Sequence, residues 1–531
     1  MTKSGNTHRP IANQRPPAPQ ALTRCDAYPD RTDSVRHIET HISHVFLTDR
    51  FAYKIKKPVQ FEFLDFSTLE LRRRMCAEEV RLNRRLAPDV YLDVVPIVRD
   101  NRGNVRVEHA GTPIEWAVKM RRLIEPCRFD HLLQKRRVSP GDVDRIVKLL
   151  VTFYRDLPSS EWGASEYVDQ VRGHVEANRA DLLAVYEGLA EGKLEACTTV
   201  RRIHSRQLAL LTLKRSLFEQ RATAEGRRGC IIEGHGDLRP EHLYLEEYPV
   251  AIDCIEFSEA LRTVDVADEM MFLAMECELL GESAIGNEIA MRCLKELNDD
   301  PLPKLLVFYR AYRACVRAKV AALRAKQLDD EQRSSAIHEA NSYLRLADLA
   351  ARELGAPLLT VVRGLMGTGK STIGNELSRL FGAQLLQTDA IRRELFGTSN
   401  AEAGYGEGNY SPALRQRVYE EMFQRADRLL NDGINVVLDG TFLKGSQRRE
   451  AQGIAQQRSA QLVIANCLCP DEVIYERILS RRDDATLSEA RPDLLAAQRN
   501  EEEPCDEDLR HVDLDTTGSV SQSMDRLIDA M

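Results

Sequence analysis

Gly364-Leu365-Met366-Gly367-Thr368-Gly369-Lys370-Ser371 spells G-x-x-x-x-G-K-[ST], and its flanks decide the fold. Before it, Leu358-Leu359-Thr360-Val361-Val362 is the apolar, β-branched run that a buried parallel strand needs. After it, Ile373, Leu377 and Leu380 recur at helical spacing. A glycine-rich loop between strand and helix turns backbone N–H groups inward around an anion, and the helix N-terminus adds partial positive charge. The stretch therefore predicts a nucleoside triphosphate site. Gly364, Gly367, Thr368, Gly369, Lys370, Ser371 and Thr372 form its cradle, Lys370 reaches the terminal phosphates, and the Ser371 hydroxyl ligates Mg²⁺.

Working outward, the sequence beyond Pro357 alternates: strand 358–363, helix 370–381, strand 384–388, helix 412–431, strand 434–439, helix 446–457, strand 461–467 and helix 471–481. That order specifies an α/β P-loop NTPase domain with a parallel sheet. Ser411, Pro412 and Gly433 punctuate the ends of the long helix at 412. Ala- and Leu-rich helical sequence from about Leu302 to Leu354 stops at Gly355-Ala356-Pro357, which places a boundary there. Three segments are expected: a disordered tail at 1–34, one domain at 35–353 and the P-loop domain at 357–531.

A chain of 531 residues is too long for one core. Its 43% hydrophobic and 29% charged residues are those of a soluble globular protein, and no run is long and apolar enough for a membrane helix. The first twenty residues lack the apolar stretch of a signal peptide. Twelve scattered cysteines make neither a disulfide framework nor a zinc pattern, which suits a reducing cytoplasm. A net charge of −8 argues against bulk nucleic-acid or membrane binding.

Upstream of the boundary, residues 40–47 and 51–56 read as a hairpin turning at Asp49-Arg50, followed by a helix from Thr68 to Leu86. Further on, His235-Gly236-Asp237-Leu238 precedes His242 and then Ile252-Asp253-Cys254-Ile255-Glu256-Phe257, placing two aspartates on either side of a short strand-like run. This resembles the aminoglycoside phosphotransferase family, whose α+β fold is protein-kinase-like. By that resemblance Asp237 accepts the proton of the acceptor hydroxyl and Asp253 holds Mg²⁺. Lys54 is the phosphate-binding lysine, with Glu78 as its ion-pair partner and Glu79 as the nearest rival. The family's second metal ligand is an Asn five residues after the catalytic Asp; here that position is His242, so His242 stands as the metal-ligand candidate. The family's glycine-rich loop is missing.

In the P-loop half, Thr388-Asp389 follows a strand at the carboxyl edge of the sheet, where such folds bind ligands, and Arg392 lies one turn later. The Asp-x-x-Arg arrangement resembles small P-loop kinases such as polynucleotide kinase, gluconate kinase and chloramphenicol phosphotransferase. The likeness implies Asp389 as general base and Arg392 as a clamp, with helix N-capping the other role open to Asp389. Asp439 ends the strand Val436-Val437-Leu438-Asp439 where a Walker B-type acid near Mg²⁺ or a substrate-contacting residue belongs. Arg477 and Arg481 resemble the arginines of a lid that closes on ATP, or form a solvated face, and the Gly-rich Tyr405–Tyr410 stretch is a candidate substrate loop.

Taken together, the chain resembles bacterial proteins that fuse an aminoglycoside-phosphotransferase-like domain to a P-loop kinase-like domain. The expectation is an ATP- and Mg²⁺-dependent phosphotransferase acting on a hydroxyl of a small molecule or a nucleic-acid end, mainly through the P-loop domain. Two alternatives stand beside it: a nucleotide-dependent switch or scaffold with a degenerate first domain, and an antibiotic phosphotransferase acting through the first domain.

Overall fold

The structure is a computed structural model that describes residues 17–61, 64–189, 192–223, 229–397, 411–480, 492–505 and 508–531. The chain falls into two compact units. One is Met1–Trp162 with Arg221–Pro301, and the other is Gly163–Gln220 with Leu302–Met531.

In the first unit, β1 (Arg36–Glu39), β2 (Ser43–Leu47), β3 (Phe51–Lys56), β4 (Tyr91–Arg99), β5 (Val105–Val107) and β6 (Pro113–Arg121) form an antiparallel sheet in the order β1-β2-β3-β6-β4-β5. Helix α1 (Leu69–Asn83) starts at Thr68, whose hydroxyl accepts the Leu71 N–H, and packs against β6 and β4. Its buried face carries Cys76, Glu79, Val80 and Asn83, the 3–4 spacing of one helical side. Helix α2 (Pro140–Asp156), the short strands β7 (Ile231–Glu233), β8 (Leu243–Tyr244), β9 (Val250–Ala251) and β10 (Thr263–Asp265), and helix α3 (Val266–Leu279) follow. An antiparallel sheet with one helix against it, then a mainly helical part carrying the short hairpins, is a protein-kinase-like fold. The segment expected as a tail extends into this unit: Leu22, Ala27 and Tyr28 are buried in the core beneath β2, β3 and β4, and the Tyr28 hydroxyl donates to Leu22 O at 2.6 Å.

The second unit is built on a fully parallel five-stranded sheet. Its strands are β11 (Leu358–Arg363), β12 (Gln384–Gln387), β13 (Val436–Asp439), β14 (Gln461–Leu468) and β15 (His511–Asp515), in the order β12-β13-β11-β14-β15. Helices α4 (Lys370–Phe381), α5 (Thr388–Phe396), α6 (Pro412–Asn431), α7 (Gly445–Gln457), α8 (Asp471–Ser480), α9 (Pro492–Glu501) and α10 (Val520–Asp529) accompany it. Two apolar cores cover its two faces, which is why β11 is buried at every position and reads as an unbroken apolar run.

The compact units cut across the sequence boundary at Gly355-Ala356-Pro357. The helix Lys193–Leu213 packs on the P-loop sheet: Ala209 shares a core with Leu358, Val362, Ile373, Leu377 and Phe381. The Thr212 hydroxyl and Arg172 both donate to Leu380 O, and Asn435 Nδ2 donates to Ser205 O. Gly382 at the end of α4 approaches so closely that a Cβ there would lie 2.9 Å from Leu208 Cδ1. Its φ of +55° is also one that glycine adopts without strain.

Candidate active site

In the first unit, β3 presents Lys54 and Lys56 on one face. Lys54 Nζ lies 2.5 Å from Asp253 Oδ1 and 2.9 Å from Glu79 Oε1. Lys56 Nζ is 2.7 Å from Glu79 Oε2 and pairs with Glu256 Oε1. Glu79 is thus the partner of the strand lysine, which corrects the expectation of Glu78. On α1 the step from 79 to 78 turns about 100° away from the buried face, and Glu78 instead pairs with Arg81 at 2.7 Å and Arg262 at 3.0 Å. Burial opposes every charge in this cluster, but Lys54 and Lys56 hold Glu79 below its ordinary range, and Lys54 and then His242 hold Asp253 far below it. Burial pushes Glu256 upward against the pull of Lys56.

Asp253 has a left-handed φ of +68°, unusual outside glycine. Its segment is pinned by the Asp253 N–H donating to Tyr91 Oη at 3.2 Å and the Cys254 N–H donating to Asn83 Oδ1 at 2.9 Å. Glu269, buried on α3, accepts the N–H groups of His235 and Gly236 and the Tyr154 hydroxyl, so it fixes the His-Gly-Asp turn. Asp237 carries an ion pair with Arg239 at 3.0 Å. Lys54, Glu79, Asp253, His242 and Asp237 are thereby brought into one chain of contacts.

The residues fit one Mg²⁺ at Asp253, an oxygen donor. His242 does not fit as its second ligand, which corrects that expectation. Its Nδ1 lies 2.8 Å from the Asp237 carbonyl oxygen and must carry the proton, and its Nε2 faces Arg239 Nη2 at 3.3 Å. An imidazole with both nitrogens engaged, in a site for a hard cation that prefers oxygen, is a poor ligand.

In the second unit, Gly364, Gly367 and Gly369 all have positive φ, and α4 begins at Lys370. A Cβ at Gly364 would lie 2.5 Å from Cys467 O, so the turn closes only with glycine there. The loop bonds to itself: Thr368 Oγ1 donates to Leu365 O at 2.8 Å and Lys370 Nζ to the same oxygen at 2.7 Å. The Met366 N–H donates to Gln498 Oε1 on α9 at 3.0 Å. Thr372 follows Ser371 in the first turn of α4. Asp439 ends β13 beside the P-loop strand, opposite Val362 on one side and Gln387 on the other, and Gln387 Nε2 donates to its Oδ2 at 2.9 Å. The Ser371 hydroxyl and the Asp439 carboxylate are a donor set that fits Mg²⁺.

Strand β12 ends at Gln387, and Asp389 lies in the first turn of α5 with Gln387, not Asp389, at the N-cap. Arg392 donates to Asp389 Oδ1. At about 4.8 Å between neighbouring strands, the end of β12, which leads into Asp389, lies roughly 10 Å across the sheet edge from the end of β11, which leads into the P-loop. Gly440 lets the backbone pass there: a Cβ would lie 2.8 Å from Thr388 Cγ2 and 3.2 Å from Tyr419 Oη. Arg477 on α8 donates to Thr516 O at 2.6 Å, and its Nη1 would lie 3.5 Å from a Cβ on Gly369, so it stands against the P-loop. Arg481 and the Tyr405–Tyr410 stretch lie outside the described residues.

Sequence reasoning missed Glu269, Glu256, Arg239, Gln387 and Gln498. Glu269 did leave a signal, an acid that directly precedes the apolar run Met270-Met271-Phe272-Leu273. It also missed the run of acids at the end of α9, Glu501 to Glu503. There Glu501 pairs with Arg415 at 2.9 Å, Glu502 with buried Arg363 at 2.7 Å, and Glu503 accepts the Gly445 N–H at 2.6 Å.

The AAA domain family matches residues 359–504. The uncharacterized protein Rv2004c of Mycobacterium tuberculosis is 32% identical over 474 residues, covering 87% of this chain and 90% of that protein, and Mb2027c of Mycobacterium bovis gives the same figures. Among solved structures, a sugar kinase from Janibacter sp. is 20% identical, covering 33% of this chain and 95% of its own, with a TM-score of 0.27. A choline/ethanolamine kinase family protein from Mesorhizobium loti is 14% identical, covering 63% and 99%, with a TM-score of 0.36.

Proposed function

This chain belongs to the family of the mycobacterial proteins Rv2004c and Mb2027c, and from its two kinase-type sites we propose that it is an ATP-dependent phosphotransferase. The γ-phosphate passes to a hydroxyl of a small molecule or a nucleic-acid end, mainly through the P-loop unit. The observation that carries the reading is the row Asp389, Asp439 and P-loop along one sheet edge, with Asp389 oriented by Arg392.

Asp389 takes the proton of the acceptor hydroxyl as its oxygen attacks the γ-phosphorus. The bond from phosphorus to the β–γ bridging oxygen breaks, and ADP leaves against Lys370 and the N-terminus of α4. Mg²⁺, when bound by Ser371 and Asp439, offsets the charge of the β- and γ-phosphates. Gly364 to Thr372 hold the triphosphate, and Arg477, which stands against the P-loop, adds positive charge beside it. Such catalysis is positioning and charge neutralisation. The first unit is a second nucleotide site, with Lys54, held by Glu79, on the phosphates, Asp253 on the metal and Asp237 as base.

The test is transfer of labelled γ-phosphate from ATP·Mg²⁺ into a fractionated metabolite and RNA extract, comparing wild type with Lys370→Ala and Asp237→Ala. A product lost only in Lys370→Ala supports the P-loop unit as the working kinase and names its acceptor. Loss only in Asp237→Ala transfers the chemistry to the first unit, and tight ATP binding with no product refutes phosphotransfer in favour of a nucleotide switch.

A further inference from the structure

At the amino end of β13, opposite to the carboxyl ends of the strands where the P-loop and Asp439 lie, three arginines among the described residues gather around one acid. Asp348, on the helix Asp330–Glu353, accepts Arg202 Nε on Oδ1 at 2.6 Å and Arg352 on Oδ2 at 3.0 Å. Arg202 also donates to Asp432 O at 2.9 Å and to Thr199 Oγ1 at 3.2 Å. Arg206 lies one turn further along the helix Lys193–Leu213. It is 7% exposed, and its Nε and Nη1 are buried without a hydrogen bond among the described residues. Burial pushes its guanidinium down to about 10, Arg202 and Arg352 add to the fall, and Asp348 opposes it. The turn before β13 is fitted to the cluster: a Cβ at Gly433 would lie 2.7 Å from Arg202 Cδ and 3.4 Å from Arg206 Nη2.

We propose that Arg206, Arg202 and Arg352 form a binding site for a phosphate-type dianion, distinct from the P-loop. A charge buried without an acceptor is among the least favourable groups a fold can hold, and Arg206 remains charged at neutral pH. One carboxylate among three guanidinium groups leaves two positive charges, the complement of a phosphate dianion. Arginine N–H groups also match phosphate oxygens in geometry, and with five donors each, Arg202 and Arg352 keep some to spare beside Asp348. Arg352, with its side chain 59% exposed, opens the cluster to solvent, and Arg206 supplies the unpaired donors at its base. The carbonyl of Ser205, next to Arg206, accepts from Asn435 Nδ2, and Asn435 Oδ1 takes the Leu358 N–H at the start of the P-loop strand. An anion on Arg206 therefore fastens the helix Lys193–Leu213 to the sheet and stabilises the second unit.

The test is calorimetric titration of the full chain carrying Lys370→Ala and Ser371→Ala, which weakens phosphate at the P-loop. Inorganic phosphate is the probe in one arm and glycerol 3-phosphate in the other, each against chloride at matched ionic strength. A saturable site is expected, together with a higher melting temperature of the second unit in circular dichroism. Adding Arg206→Leu should weaken binding roughly ten- to a hundredfold, the effect of losing a charge-assisted contact. It should not lower the ligand-free melting temperature of that unit, because a buried unpaired charge is gone. Arg352→Gln, at an exposed side chain, should weaken binding about fivefold and carries the test if Arg206→Leu fails to fold. Binding of inorganic phosphate alone makes the ligand the free ion, and binding in the ester arm makes it a phosphorylated small molecule. No saturable binding in either arm overturns the proposal and leaves Arg206 to an enclosed water. So does an affinity that Arg206→Leu, or Arg352→Gln in its place, leaves unchanged.

Discussion

Lys56→Met strikes the buried ion network at its most enclosed point. Lys56 is 0% exposed and lies 2.7 Å from Glu79, also 0% exposed, while its second partner Glu256 is 4% exposed. Removing one member of a buried pair costs about 3–5 kcal/mol, because the remaining charge keeps its desolvation penalty without its compensation. Glu79 retains Lys54 at 2.9 Å, so the loss falls on Glu256 and the expected cost lies near the lower bound, about 3 kcal/mol. For a unit of this size that is a fall in melting temperature of roughly 6–12 °C. The assay is selective: both tryptophans, Trp116 and Trp162, belong to the first unit, so fluorescence excited at 295 nm follows its unfolding alone. Combining Lys56→Met with Glu256→Gln should recover about 2 kcal/mol relative to the sum of the single changes. A fall below about 2 °C for Lys56→Met, or strict additivity of the two changes, would refute the idea that these charges are held against each other.

Asp389→Asn should slow transfer by about 10²–10⁴ and leave the ATP dissociation constant unchanged, as calorimetry on the variant can check. Gly440→Ala introduces a Cβ 2.8 Å from Thr388 Cγ2, so overpacking of about 1–3 kcal/mol should appear as a lower melting temperature of the second unit in circular dichroism. In that same unit burial pushes His174 and His204 down to about 4. Between that value and the unfolded 6.5 the unfolded chain binds protons that the folded one does not, so stability falls as pH falls through this window. His204→Gln should flatten the decline seen in denaturant midpoints from pH 7 to 5; an equally steep decline contradicts the assignment. In the labelled-ATP assay, Glu269→Gln should lower whatever transfer Asp237→Ala abolishes far more than Tyr154→Phe does, because only the former disturbs the acceptor of the His235 and Gly236 N–H groups.

The P-loop half was legible because its strands are buried on both faces. Sequences such as Leu358 to Val362 and Val436 to Leu438 carry the apolar signal without dilution, and Gly433, with its φ of +77°, ends α6 as its position implies. Strand β15 escaped notice because, at the sheet edge, His511, Asp513 and Asp515 face outward and only Val512 and Leu514 face in. Choosing between Glu78 and Glu79 required knowing which side of α1 meets the sheet. Both fit an i, i+3 or i+4 spacing, and only the shared burial of Cys76, Val80 and Asn83 settles it. Gln498 acts through the Met366 N–H, far away in the chain, and composition around it carries no mark of it.

The helix Lys193–Leu213, seated on the P-loop sheet, imposes an order on the protein's synthesis. It leaves the ribosome well before Leu358 does, since about 140 residues separate Gln220 from the first P-loop strand. At about 5–20 residues per second it waits on the order of 10–30 s with its Ala209 and Leu213 face uncovered. Throughout that interval the nascent chain exposes the kind of apolar surface that chaperones exist to shield, and a stalled or truncated message ending near residue 355 would release a polypeptide with this surface open. A gene fragment cut at the apparent domain boundary is expected to expose this face, whereas one running from residue 163 to 531 keeps the second unit whole.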